Sequence, residues 1–106
     1  MGRGMTRGDV WWVQVGRKRR PVLVLTRAEV IDVRALVTVA EITSSARGLN
    51  AEVELREHDV GLDHPSVVNC DGLHTVARSS LTGFLGAVDV DTMDRVSWAV
   101  GYALGC

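Results

Sequence analysis

Apolar and polar residues alternate along most of the chain, which is the pattern of half-buried β-strands. The pattern predicts strands at residues 8–15, 22–26, 36–43, 51–55, 66–70, 73–76 and 83–88. Between the fifth and sixth of these lies Asp71-Gly72, a dipeptide favoured in two-residue hairpin turns. Residues 66–70 and 73–76 are therefore predicted to pair as an antiparallel hairpin.

The last part of the chain has helical spacing instead. Asp89 is a suitable N-cap, and Asp91 lies in the first turn, where the helix dipole favours an acid. Gly105 is a natural stop, so the spacing predicts a helix over residues 89–104. Its apolar stripe consists of Met93, Val96, Val100, Ala103 and Leu104. The predicted architecture is one mainly β domain over residues 1–106, a small antiparallel barrel closed by the C-terminal helix after a flexible start at residues 1–7.

The composition supports a folded, soluble domain. Of the 106 residues, 46% are apolar, and valine dominates, which argues against disorder and favours strands. Cys70 lies in an apolar run and Cys106 ends the chain, so two reduced thiols are predicted rather than a disulfide. The sequence has no Cys/His spacing typical of zinc, no signal-peptide core and no apolar run of about 20 residues. We therefore expect a cytoplasmic protein without a metal, a cofactor or a membrane segment.

The charges are balanced in number but not in position. Lys and Arg total 12, against 13 Asp and Glu. Seven of the cations lie in the first 27 residues, where Asp9 is the single carboxylate. These cations are Arg3, Arg7, Arg17, Lys18, Arg19, Arg20 and Arg27. One end of the fold is predicted to carry a positive patch, centred on a basic loop at residues 16–20.

Arg20 differs from the other cations of this patch because Pro21 follows it. Proline restricts the preceding residue to extended backbone, which holds Arg20 at the root of the second strand. Thr43, Ser44 and Ser45 lie at the end of the third strand. If the second and third strands pair, Arg20 and Thr43 lie near the same rim, where a guanidinium and a hydroxyl can bind a phosphodiester.

Several other residues have an ordinary structural explanation beside a functional one. Trp11 and Trp12 can stack on nucleobases, but the favoured interpretation is that one packs inward and the other covers an edge. Glu52 and Glu54 are predicted to face solvent rather than to act as an acid–base pair. The histidines are scattered, and no spacing argues that any of them meet: they are His58, His64 and His74.

Ordered pieces of the sequence resemble the MazF/PemK-type toxins of bacterial type II toxin–antitoxin systems. The pieces are Arg7-Gly8-Asp9-Val10-Trp11-Trp12, Arg19-Arg20-Pro21-Val22-Leu23-Val24-Leu25, Ile42-Thr43-Ser44-Ser45, Arg47-Gly48-Leu49 and Pro65-Ser66-Val67-Val68-Asn69-Cys70-Asp71. The tail at residues 81–86 and 93–104 follows the same pattern. The resemblance covers nearly the whole chain, and the pieces occur in the family's order.

The resemblance implies a small SH3-like barrel of the MazF and CcdB type, assembled as a homodimer. It implies metal-independent, sequence-specific cleavage of single-stranded RNA to 2′,3′-cyclic phosphate and 5′-OH ends, which inhibits translation and growth. It places the catalytic arginine on Arg20 and the catalytic threonine on Thr43. The predicted RNA contacts are Arg17, Lys18, Arg19, Ser44, Ser45 and Arg47.

Two departures from the family pattern bear on the mechanism. Many members have a longer first loop in which a glutamate is a candidate general base, whereas the loop at residues 16–19 has no carboxylate. Asp9 is the nearest in sequence but sits at the far end of the first strand. The general base is therefore unassigned. Three alternatives are left open for it: an activated water, a histidine, or assistance by the substrate itself. The other departure is Asp71-Gly72, where an Asp-Gln pair is common.

The resemblance also implies a MazE-like antitoxin whose acidic segment covers the basic loop at residues 17–20. Residues 69–75 and the helix are the candidate dimer surfaces. Trp98 and Tyr102 lie off the helix's apolar stripe. Two interpretations are left open for them: contact with a partner chain, and partial burial at the margin of the stripe. Two other functions are retained: a toxin of the same fold that poisons a protein such as DNA gyrase, and a non-catalytic RNA-binding barrel.

Overall fold

The computed structural model describes residues 4–27, 35–55 and 60–105. Its strands are β1 (Asp9–Val15), β2 (Lys18–Val24), β3 (Leu36–Thr43), β4 (Glu52–Leu55), β5 (Ser66–Ala77) and β6 (Leu81–Ala87). A 3₁₀ turn at Arg78–Ser80 joins β5 to β6, and helix α1 (Val90–Ala103) follows. The prediction of a mainly β domain with a C-terminal helix is confirmed.

The six strands form one antiparallel sheet in the order β4-β5-β3-β2-β1-β6. Within the described residues β4 and β6 are the two edges, so the sheet does not close on itself. Helix α1 packs against β4 and β5. The predicted closure of the barrel is therefore wrong, because the helix covers one face of an open sheet.

A tight hairpin joins β1 to β2. Val15 pairs with Lys18, so the turn consists of Gly16 and Arg17 alone. Gly16 has a φ of +61°, and a glycine in the left-handed region at the first turn position is what a type II′ turn requires. The predicted basic loop over residues 16–20 is therefore wrong, since two residues are enough to reverse the chain and the cations continue as a strand.

β5 is one continuous strand, so the predicted hairpin at Asp71-Gly72 is wrong. Its first half pairs with β4 on one side, and both halves pair with β3 on the other. The β3–β5 register jumps from the pair Ala40–Leu73 to the pair Glu41–Asn69, which leaves a bulge at residues 70–72. The turn dipeptide lies in this bulge because β3 continues past it and keeps the strand extended.

Apolar clusters cover both faces of the sheet. The cluster under α1 joins strand residues such as Leu23, Ala40 and Val68 to Val96 and Ala99 of the helix. The opposite cluster consists of Val13, Val22, Val24, Val37, Val39 and Leu81, with Trp11 packed against it. Because successive strand residues face opposite sides, this division fixes the face on which each polar strand residue lies.

Helix α1 has the predicted ends. The Asp89 side chain accepts a hydrogen bond from the Thr92 N–H at 2.8 Å, and Gly105 after the helix has a φ of +77°. Leu104 is 65% exposed and so does not belong to the buried stripe, whereas Ala99, which was not predicted, is buried. The other predicted stripe residues lie in the core or pack against it: Met93, Val96, Val100 and Ala103.

The structure describes one of the two cysteines and bears on the predicted absence of a membrane segment. Cys70 is buried as predicted, and burial raises the pKa of its thiol to about 11. Cys106 lies outside the described residues, as do His58 and residues 28–34, which lie between the second and third predicted strands. In the part of the chain that the structure describes, no helix is long and apolar enough to span a bilayer.

Candidate active site

The basic stretch is divided between the two faces of β2. Arg20 lies opposite Val13 and Arg19 opposite Gln14, so these neighbouring cations point to opposite sides of the sheet. The Arg19 guanidinium carbon lies 4.7 Å from the centroid of the Trp12 ring, which is a cation–π contact. The four cations therefore do not form one uniform patch.

Arg20 and Thr43 lie on the same face at the same rim. The β2–β3 ladder reaches the pair Val22–Glu41, and continuing its register by two residues on each strand brings Arg20 opposite Thr43. The paired register ends two residues before Arg20 and Thr43, so it establishes their shared face and rim, and the long Arg20 side chain extends from the same rim as the Thr43 hydroxyl. The structure thus brings these residues together as expected, while their catalytic roles stay a prediction.

The hydroxyl of Thr43 is oriented by the turn that follows β3. Its Oγ1 accepts a hydrogen bond from the Ser45 N–H at 3.1 Å. Because a hydroxyl has one proton and two acceptor lone pairs, this bond leaves the Thr43 proton available to a substrate oxygen. Ser44 and Ser45 are exposed beside it, and their predicted RNA contacts stay a prediction.

Glu52 of β4 holds the loop that follows Thr43. Its two carboxylate oxygens accept the Arg47 N–H at 3.0 Å, and Oε1 also accepts the Leu49 N–H at 3.1 Å. These backbone donors, that of Arg47 foremost, hold the pKa of Glu52 below its ordinary value of 4.5. Glu52 was predicted to face solvent rather than to act in an acid–base pair, and the structure adds that its carboxylate holds the loop. Gly48, with a φ of +71°, turns this loop back toward β4.

A cleft of about 250 Å³ opens on this face beside Thr43. Its lining residues are Glu41, Thr43, Ser45, Arg47, Leu49, Glu52, Asn69 and Asp71. Three of them are carboxylates and one is a cation, so the cleft disfavours phosphate and offers acceptors to the amino groups of nucleobases. Phosphate is better accommodated on the adjoining side of the rim, where Lys18 and Arg20 share a face of β2.

A carboxylate–imidazole pair lies on the same face as the cleft. His74 Nε2 is 3.0 Å from Glu41 Oε2. His64 instead bonds Asp63 at 2.6 Å on the exposed surface. His64 and His74 thus pair with different carboxylates and not with each other, in agreement with the expectation that the histidines do not meet. Sequence reasoning missed the pair because its members lie on different strands and only the β3–β5 register brings them together.

Asp9 and the two N-terminal tryptophans have packing roles. Asp9 is buried and accepts the Thr6 N–H at 2.9 Å and the Trp11 Nε1–H at 3.2 Å, so it serves the start of the chain rather than the rim. The Trp11 ring packs edge-on against Phe84 at a centroid distance of 5.9 Å. The predicted inward packing of one tryptophan is confirmed for Trp11, whereas the edge cover predicted for the other stays a prediction for Trp12. Among the described residues no three His, Cys, Asp or Glu side chains are grouped to hold a metal ion.

Comparison with known proteins agrees with this fold. A family model described as "PemK-like, MazF-like toxin of type II toxin-antitoxin system" matches residues 6–104. The chain belongs to this family of toxins. A curated relative of this toxin, "Probable endoribonuclease MazF2" of Mycobacterium tuberculosis, is 40% identical over 76 residues, which are 72% of this chain and 74% of the relative.

Solved structures of MazF-like proteins superpose on this toxin over nearly its whole length. M. tuberculosis toxin MazF-mt6 matches with a TM-score of 0.85 at 36% identity, covering 92% of this chain and 96% of that one. An endoribonuclease in complex with its cognate antitoxin, from a mycobacterial species, matches with a TM-score of 0.86 at 25% identity, covering 96% of each chain. The MazF/PemK resemblance in the sequence is therefore confirmed.

The helix of this MazF-like toxin presents an aromatic pair to solvent. Trp98 and Tyr102 are 65% and 53% exposed, and their rings stack with centroids 5.5 Å apart and planes inclined by 14°. Of the two interpretations left open for them, partial burial at the margin of the stripe holds for Tyr102, which is about half buried, and Trp98 is more exposed. Contact with a partner chain stays a prediction.

Proposed function

We propose that this toxin is a sequence-specific endoribonuclease that cleaves single-stranded RNA and arrests translation and growth until a cognate antitoxin neutralises it. The observation that carries the proposal is the position of Arg20 and Thr43 on one face at one rim of a MazF-like fold. The relative MazF2 is itself named a probable endoribonuclease. We expect the toxin to act in the cytoplasm, where mRNA, tRNA and rRNA are its possible targets.

The proposed reaction is attack of a ribose 2′-OH on the adjacent phosphorus. The O2′–P bond forms while the P–O5′ bond breaks, which leaves a 2′,3′-cyclic phosphate and a 5′-OH. Negative charge increases on the non-bridging oxygens, and Arg20 stabilises it through charge-assisted hydrogen bonds. Thr43 donates its hydroxyl proton to the same phosphoryl group and holds it in line. Loss of such a preorganised donor costs about 10²–10³-fold in rate.

The proposed RNA contacts lie on either side of the reacting phosphate. Lys18 shares the Arg20 face of β2, and Arg17 lies in the adjoining turn, so these two cations contact neighbouring phosphates. On the other side the contacts are Ser44, Ser45 and Arg47, beside the cleft that receives a base. Arg19 was predicted to join them, but we assign it to packing because it stacks on Trp12 on the opposite face.

The toxin is proposed to form a homodimer and to bind a MazE-like antitoxin. A similar mycobacterial endoribonuclease was solved with its cognate antitoxin. Exposed, stacked aromatic residues are typical of protein contact surfaces, so Trp98 and Tyr102 are candidates for such an interface, as are residues 69–75. The antitoxin is expected to compete with RNA for residues 17–20. An antitoxin peptide that leaves RNA affinity unaffected would refute the shared surface.

Mapping of 5′-OH ends in total RNA tests the proposed activity. The wild-type toxin is expected to create new 5′-OH ends at one sequence motif, and Arg20→Ala to create them about 10²–10³-fold more slowly with an unchanged circular dichroism spectrum. Arg95→Ala, a surface arginine of α1 that pairs with Asp91, is the matched control and should cleave normally. Equal cleavage by Arg20→Ala refutes the site. RNA that is bound but intact indicates a binding barrel, and inhibition of gyrase without RNA cleavage indicates a protein-directed toxin.

A further inference from the structure

The cleft beside Thr43 contains a hydrogen-bond donor and an acceptor that border the same space. Glu41 of β3 and Asn69 of β5 are cross-strand partners, and both line the cleft together with Thr43. A Cβ on Gly72 would overlap Glu41 Oε2 and lie 3.0 Å from Asn69 Nδ2, so both atoms border the space that this glycine leaves open. The carboxylate oxygen and the amide nitrogen are therefore neighbouring groups of the cleft lining.

Both side chains are held by bonds that leave groups available to a ligand. Asn69 Oδ1 accepts the Asp71 N–H at 3.1 Å, which orients the amide and leaves the two Nδ2 protons as donors. Glu41 Oε2 lies 3.0 Å from His74 Nε2, and because a carboxylate has about four acceptor sites, both of its oxygens can still accept. The Glu41 side chain is 49% exposed, so a ligand can reach it. The cleft thus offers two acceptor oxygens beside one donor group.

Guanine is the base whose Watson–Crick edge matches this order of groups. It presents two adjacent donors, N1–H and the N2 amino group, next to the acceptor O6. Adenine, cytosine and uracil each present a single donor on that edge, so a ring acceptor of theirs would face the carboxylate. Acceptors opposed in this way reject the wrong base. Asp71 and Glu52 also line the cleft, and their negative charge adds to that rejection.

The strand spacing suits a base next to the reacting phosphate. Glu41 lies two residues before Thr43 on β3, so their side chains share a face about 7 Å apart along the strand. A single nucleotide spans such a distance from its phosphate to the edge of its base. A phosphate bound at Thr43 therefore places the base of an adjoining nucleotide at Glu41 and Asn69.

We propose that Glu41 and Asn69 are specificity-determining residues that recognise a guanine adjoining the cleaved bond. The Glu41 carboxylate accepts the guanine N1–H and the N2 amino group, and Asn69 Nδ2 donates to O6. Gly72 keeps open the space that these two groups border, which gives a physical reason for its departure from the common Asp-Gln pair. The proposal rests on the endoribonuclease function proposed above.

The RNA sites that the full-length wild type cuts test the identity of the base. A guanine is expected at one of the two positions that flank the cleaved bond. In an RNA oligonucleotide with that site, inosine in place of the guanine lacks only the N2 amino group, and it is expected to lower kcat/KM about 10–100-fold. Adenosine, whose N1 would face the carboxylate, is expected to lower it at least as much. Efficient cleavage at sites without a flanking guanine overturns the proposal.

The guanine-to-inosine ratio of kcat/KM separates the two residues, because inosine keeps O6 but lacks the N2 amino group. Glu41→Gln is expected to reduce this ratio to less than about threefold, and Gly72→Ala, whose Cβ displaces the carboxylate, is expected to reduce it as well. Asn69→Asp is expected to keep the ratio while slowing cleavage of both substrates about tenfold or more.

Asp63→Asn is the matched control, because it removes the carboxylate of the other carboxylate–imidazole pair, on the exposed surface. It should keep both the wild-type rate and the wild-type ratio. A wild-type ratio in Glu41→Gln overturns the contact with the N2 amino group, and a wild-type rate in Asn69→Asp overturns the contact with O6. A change in folding alone would not alter the ratio.

The failure of this inference differs from the failure of the proposed function. If the wild type cleaves RNA and Arg20→Ala does not, cleavage that is indifferent to guanine refutes the guanine site alone. If the wild type leaves all RNA intact, the endoribonuclease function is refuted, and fluorescence anisotropy with oligouridine carrying one central guanosine or inosine decides the guanine site separately. Equal affinity for the two oligonucleotides overturns it, and tighter binding of the guanosine form supports it.

Discussion

Arg19 and Arg20 are neighbours in the sequence, but they point to opposite faces of β2. Arg19 stacks on Trp12, 4.7 Å from the ring centroid, and Arg20 shares the face and the rim of Thr43. Successive side chains of a strand point to opposite faces of the sheet, so neighbouring cations in a strand have different surroundings. In this toxin Arg19 packs on Trp12, and Arg20, on the other face, is the proposed substrate contact.

This division predicts different salt dependence for two otherwise similar substitutions. Lys18→Gln should lower the slope of log affinity against log salt by about 0.7, the loss of one single-strand phosphate contact. Arg19→Gln should leave that slope unchanged and should lower the free energy of unfolding by about 0.5–1 kcal/mol through the lost cation–π contact. Fluorescence anisotropy with an RNA carrying a 2′-deoxy block at the cleavage site measures the slopes, and urea unfolding measures the stability. Equal slope losses would contradict the division.

The helix cap predicts a stability change without an effect on the reaction. Asp89→Ala removes the acceptor of the Thr92 N–H and should lower the free energy of unfolding by about 1 kcal/mol. For a domain of this size the corresponding fall in Tm is about 4–8 °C, measurable by calorimetry. Asp91→Asn, in the first turn but without a capping bond, should cost less than half as much. An unchanged Tm in Asp89→Ala contradicts the capping role.

Cys70 is predicted to be unreactive in the folded protein. Burial raises the pKa of its thiol to about 11 from an ordinary 9.0, so its thiolate fraction at pH 8 is about a hundredfold lower. In a Cys106→Ser variant, where Cys70 is the remaining thiol, alkylation by iodoacetamide should be slow until denaturant is added. Rapid alkylation of the native variant would show that Cys70 is accessible.

Glu52 is predicted to make the stability of the toxin depend on pH in the acidic range. Its folded-state pKa is lowered by the Arg47 and Leu49 N–H donors, so its contribution is complete above its unfolded pKa and is lost as pH falls through the folded pKa. The difference in Tm between wild type and Glu52→Gln should therefore be full at pH 6 and shrink below about pH 4.5. Glu54→Gln is the control on the same strand. A difference that is constant with pH contradicts the assignment.

Local sequence patterns correctly predicted the strands and the helix whose formation depends on neighbouring residues in the chain. Alternation located β1, β3 and β4 to within a residue or two, and the cap at Asp89 located the helix. The prediction was wrong where a neighbouring strand determines whether a segment is a turn or part of a strand. Asp71-Gly72 is a turn in isolation but a bulge in β5, because β3 continues beside it. The run of cations at the start of β2 has the composition of a loop. It forms a strand because a two-residue turn places it beside β1.

The candidate site was predicted in part for the same reason. The proximity of Arg20 and Thr43 followed from assuming that β2 and β3 pair, and the ladder supports that assumption. The pair of Glu41 and His74 could not be predicted, because a bulge in β5 sets which residues of two strands meet. Glu52 was missed because its partners are backbone N–H groups, which the sequence does not show as a pattern.

The central claim is that Arg20 and Thr43 act on the same phosphoryl group. A double-mutant cycle of Arg20→Ala, Thr43→Ala and the combined variant tests it most directly, using single-turnover cleavage of one RNA oligonucleotide at saturating protein. Each single substitution is expected to slow cleavage about 10²–10³-fold, and the double variant is expected to be no more than about tenfold slower than the worse single variant, since residues that act as a unit are strongly non-additive. A double variant whose loss equals the product of the two single losses would show that the residues act independently and would contradict the account.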